Sequence, residues 1–288
     1  MSASRFDGRV FAEIAPPLAS ERAEYYAASH SLELLEAAFV DFTYERHFHD
    51  TFAIGVTLRG VQRFWCRGTT YNSVRGDILV IPPGEPHDGE SGGAGGYAYR
   101  MFYVAESALL DIVTDASEHP AVGIHLRETS VLREPSLARR LEMSWRAMRA
   151  DATSLAAEES FRRAFLSLVV REPWPGLVSR GLDVPAIRRV RDYLRDHVAE
   201  RVTMQELASI ASMTRFRLTR QFQKMFGLPL HAYHLQLRLH EAKRRLQAGA
   251  PIAAVAFDLG FVDQSHLHRR FKGAFGVTPG EWRNAVIK

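Results

Sequence analysis

Two stretches of this chain carry residue types at spacings that suit chemistry. ASMTRFRLTRQFQKMFGLPLHAY (211–233) aligns with GFVDQSHLHRRFKGAFGVTPGEW (260–282) at an offset of 49, pairing Leu218, Arg220, Phe222, Phe226, Gly227 and Tyr233 with Leu267, Arg269, Phe271, Phe275, Gly276 and Trp282. In the first unit Leu218, Phe222 and Met225 recur at helical spacing as a buried stripe, leaving Arg215, Phe216, Thr219, Arg220 and Gln223 on the other side. In the second, Leu267, Phe271 and Phe275 are the stripe, and Gln264, Ser265, His268, Arg269 and Lys272 are left over. These side chains suit bases and phosphates: Arg grips guanine bidentately, Gln suits adenine, and apolar atoms meet the thymine methyl. The other stretch is HFHD, where alternation along a strand places His47 and His49 on one face. The single cysteine, Cys66, has no partner for an internal disulfide or a CxxC site, and its setting, RFWCRG, reads as inert strand interior.

The elements that must position these residues differ along the chain. Each repeat unit reads as helix, tight turn, helix, the helix-turn-helix plan whose second helix enters the major groove. LHAYHLQLRLHEAKRRLQ (230–247) joins the units as one helix. At about 1.5 Å per residue it is a rod of roughly 27 Å, suited to holding two recognition helices near the ~34 Å repeat of successive major grooves. Asp183 precedes an amphipathic helix through His197, Thr203 and Glu206 form a capping box, and Thr278-Pro279 with Glu281 opens a last helix. With Gly227, Gly249, Gly260 and Gly276 as stops, six or seven short helices fit after Pro185.

Upstream, from Phe39 to Val104, short β-rich segments broken by Gly or Pro (FAIGVTL, VQRFWC, DILVIPPG, YAYRMFYV) imply an antiparallel sheet or barrel. GESGGAGG (89–96) reads as a mobile loop beside an opening; no helix N-terminus follows it to make a phosphate cradle. Leu137, Leu141, Trp145 and Met148, then Phe161, Phe165, Leu168 and Val169, mark two antiparallel helices. They pack on their own barrel or pair with a second copy. PWPGLVSRGLD (173–183) is the expected linker.

Composition limits the function classes. The chain has 288 residues, 46% hydrophobic and 24% charged, and no apolar run nears the roughly 18 residues that span a bilayer. The first twenty residues contain no apolar signal core, so a cytoplasmic location is expected. A net charge of +4 hides an asymmetry: residues 182–288 hold 18 Lys+Arg against 9 Asp+Glu, residues 1–181 hold 19 against 24. A basic half beside an acidic one implies that the C-terminal part meets a polyanion, nucleic acid first.

With these residues in hand, positions from about 182 to 288 resemble the C-terminal domain of the AraC/XylS family of bacterial transcription regulators. The motifs are RLTRQF (217–222), GLPLHAY (227–233), RLHEAKRRL (238–246) and AFDLGFVDQSHLHRRFKGAFGVTPGEW (256–282), above all GF-x5-L-x-R-x-F followed by FG-x-TP. The resemblance implies groove contacts from Phe216, Thr219, Arg220, Gln264, Ser265, His268 and Arg269. Leu228-Pro229-Leu230 departs from the family's frequent Ser-Pro and touches no base contact.

The N-terminal half resembles a cupin barrel. Gly76-x5-Pro82-Pro83-Gly84-x2-His87 matches the second cupin motif, and His47 and His49 supply the H-x-H of the first. His87 then approaches from a neighbouring strand pair, and three histidines in a barrel are capable of ligating a metal. The carboxylate that metal-binding cupins place about four residues on is missing from DTFAI. The expectation is therefore no metal and no cofactor, with His47, His49, His87, Arg63 and Trp65 contacting an organic effector, and Phe52, Phe64 and Tyr71 as further wall candidates.

The whole reads as an α+β multidomain chain. Residues 1–172 are a cupin-like β-barrel with two helices for effector binding and dimerisation, 173–183 the linker, and 184–288 an all-α DNA-binding domain with two helix-turn-helix units. The DNA-binding set is Arg215, Phe216, Thr219, Arg220, Gln264, Ser265, His268, Arg269 and Lys272. The expected function is effector-controlled, sequence-specific transcription regulation without catalysis. Partners are a double-stranded operator, a small-molecule effector, a second copy of the chain and, as a candidate, RNA polymerase; no membrane is among them. The alternatives are a metal-dependent cupin enzyme fused to a DNA-binding domain, and an architectural DNA binder without an effector.

Overall fold

The computed structural model describes residues 21–29, 31–115, 130–168 and 184–286. The linker residues 173–183, with the Asp183 cap, and the last stripe residue Val169 lie outside them. The N-terminal part consists of β1 (Arg22–Ser29), β2 (Leu32–Phe39), β3 (Tyr44–His47), β4 (Phe52–Cys66), β5 (Thr69–Val74), β6 (Ile78–Ile81), β7 (His87–Ser91), β8 (Tyr97–Val104) and β9 (Val131–Leu132). Three helices accompany them: α1 (Glu106–Asp115), α2 (Pro135–Ala150) and α3 (Leu155–Leu166). α2 and α3 carry the two expected stripes. α1 was not anticipated.

Strand order is β1-β2-β8-β4-β6-β9, while β3 pairs with β7 and β7 and β5 pair with β4. The expected barrel is therefore not closed: the long β4 gives its first half to one layer and its second half to another, leaving the inner face open at one side. The hinge is a bulge between Thr57 and Arg59, where Thr57 faces Tyr99 and Arg59 already faces Ala98. Beyond it Gly60 (φ 69°) presses on the Gly96 carbonyl, where an added Cβ would lie 1.9 Å from the oxygen. Gly96 thus belongs to a packed corner, and the first three residues of GESGGAGG are strand, since β7 runs to Ser91.

Both faces of the sheet are covered, which is why YAYRMFYV is buried throughout. Phe52, Ile54, Phe102 and Val104 pack under α1–α3 against Leu137, Leu141, Trp145, Phe161 and Phe165. Within that layer the Arg100 guanidinium bridges the buried carboxylates of Glu36 and Glu142 and lies 4.3 Å over the Trp145 ring. The other face carries Leu35, Phe39, Phe64, Cys66, Tyr97, Tyr99 and Tyr103.

The C-terminal part is all helical: α4 (Val184–Asp196), α5 (Met204–Ala211), α6 (Arg215–Phe226), α7 (Leu230–Gln247), α8 (Ile252–Asp258), α9 (Gln264–Phe275) and α10 (Pro279–Val286). The Thr203/Glu206 capping box forms, Thr214 and Asp263 cap α6 and α9, and Gly227 and Gly276 end those helices in the left-handed conformation. α7 spans the 18 residues that the sequence assigns to the spacer. Phe271, Phe275 and Trp282 close over the open inner face of the sheet and share one apolar cluster with Leu35, Tyr99 and Tyr103.

Candidate DNA-reading face and buried histidine site

α5 and α6 form one helix-turn-helix, α8 and α9 the other. Their turns are built alike: Ser212 (φ 51°) ends α5 and Gly260 (φ 70°) follows α8, both left-handed. Leu218, Phe222, Leu267 and Phe271 are fully buried, so the helices' opposite sides face solvent. There Arg215, Phe216 and Arg220 are exposed, Phe216 by 78%, while Thr219 is half-buried with its hydroxyl donating to the Arg215 carbonyl. On α9, Gln264, Ser265, Arg269 and Lys272 are exposed, and half-buried His268 lies 3.5 Å from Gln264. Arg220 and Arg269 form no ion pair among the described residues, and each projects from the second turn of its helix. The Arg215 guanidinium donates to the Gln205 side-chain oxygen, while an exposed aromatic beside the Arg220 guanidinium suits thymine methyls, guanine edges and phosphates.

Arg238 of α7, which the sequence reading passed over, donates to the carbonyls of Val198, Glu200 and Gly260. It ties the α4–α5 loop of the first unit to the turn of the second. Nothing in its local sequence distinguishes it from the neighbouring surface arginines.

The histidines meet as expected. His47, His49 and His87 are all buried, and one ligand-capable nitrogen from each lies within 4.8 Å of the others. His47 pairs with His87 across β3 and β7, and each is fixed by a backbone carbonyl: Nδ1 of His47 lies 2.7 Å from the Glu45 oxygen, Nδ1 of His87 2.9 Å from that of Glu85. These bonds leave Nε2 of both rings with a free lone pair. Burial holds His47 and His49 well below the ordinary histidine range and pushes His87 down to about 4, so the cluster is neutral at pH 7. The cavity beside it, about 30 Å³, is also lined by Gln62, Phe64, Tyr99 and Tyr103. The Gln62 side-chain oxygen is buried and accepts no hydrogen bond among the described residues.

Arg63 and Trp65 do not join this site. Alternation from Ala53 would turn odd-numbered residues of β4 inward, but the extra residue at the bulge reverses the parity, and Gln62, Phe64 and Cys66 face inward instead. Arg63 pairs outside with Glu90 at 3.3 Å, and Trp65 lies under the Arg46 guanidinium at 3.9 Å. Phe52 faces the helices, while Phe64 and Tyr71 stack at the inner side. Cys66 is buried with its thiol pushed up to about 11, as inert packing requires.

The loops carrying the histidines also carry the contacts to the DNA-reading half. Phe48, between His47 and His49, inserts into the core of the first unit, its ring centroid 5.0 Å from Tyr233 and 5.3 Å from His240. His240 reaches back to the Phe48 carbonyl at 2.8 Å. Glu45 pairs with Arg270 at 3.1 Å, and the Tyr25 hydroxyl donates to the Phe275 carbonyl at 3.0 Å. Lys243 pairs with Glu33 at the edge of a larger cleft, about 330 Å³, between the halves.

Comparison with known proteins gives this geometry a family. The family model described as an AraC-like ligand binding domain matches residues 29–165, and one described as a helix-turn-helix domain matches residues 207–285. An uncharacterized HTH-type transcriptional regulator, YbfI of Bacillus subtilis, is 28% identical over 228 residues, 78% of this chain and 81% of its own. The arabinose operon regulatory protein of Salmonella typhimurium is 26% identical over 244 residues, 81% of this chain and 83% of its own. Among solved structures, unsaturated fatty acid-bound ToxT of Vibrio cholerae superposes with a TM-score of 0.56 at 12% identity, covering 88% of this chain and 95% of that one. With a ligand-binding domain ahead of paired helix-turn-helix units, the chain belongs to the AraC/XylS family of DNA-binding transcription regulators.

Proposed function

We propose that this regulator reads DNA through Arg215, Phe216, Thr219 and Arg220 of α6 in one major groove and Gln264, Ser265, His268, Arg269 and Lys272 of α9 in the next. The observation that carries this reading is the repeated build of the two units, each presenting an exposed arginine, Arg220 or Arg269, without an ion pair among the described residues, with exposed Phe216 beside it on the first. Residues 1–172 serve as sensor, 173–183 as linker and 184–288 as reader. The effector acts at the His47, His49 and His87 cavity, from which Arg63 and Trp65 are removed by the strand parity. The protein works in the cytoplasm as a homodimer, with RNA polymerase as the partner at promoters, and performs no catalysis. ToxT's bound fatty acid supports ligand control of this fold, not that ligand here. No helix among the described residues is long and apolar enough to cross a membrane.

In vitro selection of bound DNA by the full chain tests the reading. A recovered motif with two blocks about one helical turn apart is expected, with a log-log salt slope of about −0.9 per phosphate neutralised. Recovery of no sequence preference over random DNA refutes it and favours the architectural alternative.

A further inference from the structure

Three cavities of similar size differ in charge. The cleft of about 330 Å³ between the halves has Glu33, Asp50 and Glu241 among its walls, and a groove of about 340 Å³ on the sensor has Asp88 and Glu90. The third, about 390 Å³, is formed within the helical half, and no carboxylate lines it among the described residues. Exposed Arg201 and His231 stand at its edge, above the buried side chains of Leu207 and Leu230. Neither Arg201 nor His231 makes a hydrogen bond or an ion pair among the described residues. Half-buried Arg238, a third wall, donates to the Val198, Glu200 and Gly260 carbonyls, which fix its position without neutralising its charge. Two guanidiniums and an imidazole with no counter-charge between them focus a positive potential into the cavity, which suits an anion.

Its place in the fold says which anion. Thr219, in the middle of the reading helix α6, forms one wall, so the cavity borders the face that meets DNA. Arg238 forms another and reaches Gly260 in the turn of the second unit, which puts the cavity on the side of the first unit that faces the second. With α6 and α9 in successive major grooves about 34 Å apart, the sugar–phosphate strand between those grooves has to cross this side of the molecule. We propose that the cavity seats one phosphate of that strand, with Arg201 and His231 donating to its oxygens and the fixed charge of Arg238 behind them. This rests on the two-groove reading of α6 and α9. Arg201 belongs to the α4–α5 loop and His231 to the first turn of α7, so the same phosphate holds the start of the first helix-turn-helix and the spacer helix together. Such a contact carries no base information; it sets where the reader stands along the duplex.

The test uses the full chain and the operator recovered by selection. Arg201→Ala, at an exposed loop position, is expected to keep the melting temperature and to bind the operator about tenfold more weakly, the loss of one charge-assisted hydrogen bond. It weakens all sequences in the same proportion and flattens the log-log salt slope by about 0.9, the share of one phosphate. His231→Ala acts in the same direction with a smaller loss. Neutral methylphosphonates, placed one at a time between the two recognition blocks, then locate the contact. One position is expected to weaken the parent protein about tenfold and Arg201→Ala by less than about twofold, because the variant has already lost that interaction. Arg201→Lys, which keeps the charge, stays sensitive there. Parent-like affinity and salt slope in Arg201→Ala, or equal losses in parent and variant at every methylphosphonate, overturn the proposal. So does a changed base preference within either block. The two-block motif is read from the parent protein alone, so these failures leave the DNA reading standing, whereas absence of the motif removes both.

Discussion

Replacing Phe48 with Ala should loosen the sensor from the reader. Phe48 belongs to the sensor half, yet it is 2% exposed and shares one apolar cluster with Leu218, Phe222, Leu228 and Tyr233 of the helical half. Burial of a phenylalanine contributes about 1.5–3 kcal/mol, and a stacked aromatic pair about 0.5–1.5 kcal/mol more. The loss expected is therefore about 3 kcal/mol, at the lower end for phenylalanine truncated in a core. It falls on docking, because neither half packs around the ring alone; a docking equilibrium weakened by that amount shifts roughly 100-fold. If the 288 residues unfold as one unit, an entropy of about 2.1 cal/mol/K per residue converts 3 kcal/mol into a melting shift of about 5 °C. Calorimetry should show a single transition for the parent protein and a lower, broadened or split one for Phe48→Ala. Phe48→Leu, which keeps most of the apolar volume, should shift by about a third as much. An unchanged single transition in Phe48→Ala would refute the claim that this ring couples the two halves.

Arg220→Ala and Arg269→Ala should each cost about 1–3 kcal/mol on the best operator and relax preference at separate positions one helical turn apart; relaxation at the same base pair rules out two-groove reading. Lys272→Ala, by contrast, should weaken all sequences alike. Arg100→Ala leaves the buried carboxylate of Glu142 with Arg146 alone at 2.9 Å and that of Glu36 with Arg22 alone at 3.9 Å, and should cost about 3 kcal/mol in urea unfolding, with under 1 kcal/mol refuting the bridge. Ser212→Gly removes the penalty of a side chain at φ 51° and should raise stability by about 0.5 kcal/mol, partly offset by the freer unfolded chain; a loss of stability would show that the turn depends on the serine itself.

The reader was legible because its signals are local. Stripe spacing, caps and glycine stops in the two units depend on neighbours within a few residues, so Leu230–Gln247 and Gln264–Phe275 match their sequence readings. The sensor was legible only up to its bulge. One extra residue near Leu58 turns Arg63 and Trp65 outward, and no periodicity announces it. α1 went unread for a related reason: its Leu109 and Ile112 are too few to form a stripe, and the helix exists because they fill the layer beside Phe161 and Phe165. The open sheet was misread as a closed barrel because its closing wall, Phe271, Phe275 and Trp282, comes from the other half of the chain.

That shared wall decides how a signal can travel. A ligand shifts a conformational equilibrium only by its difference in affinity for the two states, and allosteric couplings are typically about 1–3 kcal/mol. The Phe48 ring alone contributes about that much to docking, and it sits between two of the three histidines. Small movements at the cavity are therefore matched in energy to the contact they would disturb. Both units adjoin the same segments: Pro86 lies against Gly227 and Tyr44 against Gly276, the equivalent caps of α6 and α9. Arg238 also joins the two units, donating to the Val198 and Glu200 carbonyls on one side and to the Gly260 carbonyl on the other, so a movement of one unit bears on its neighbour.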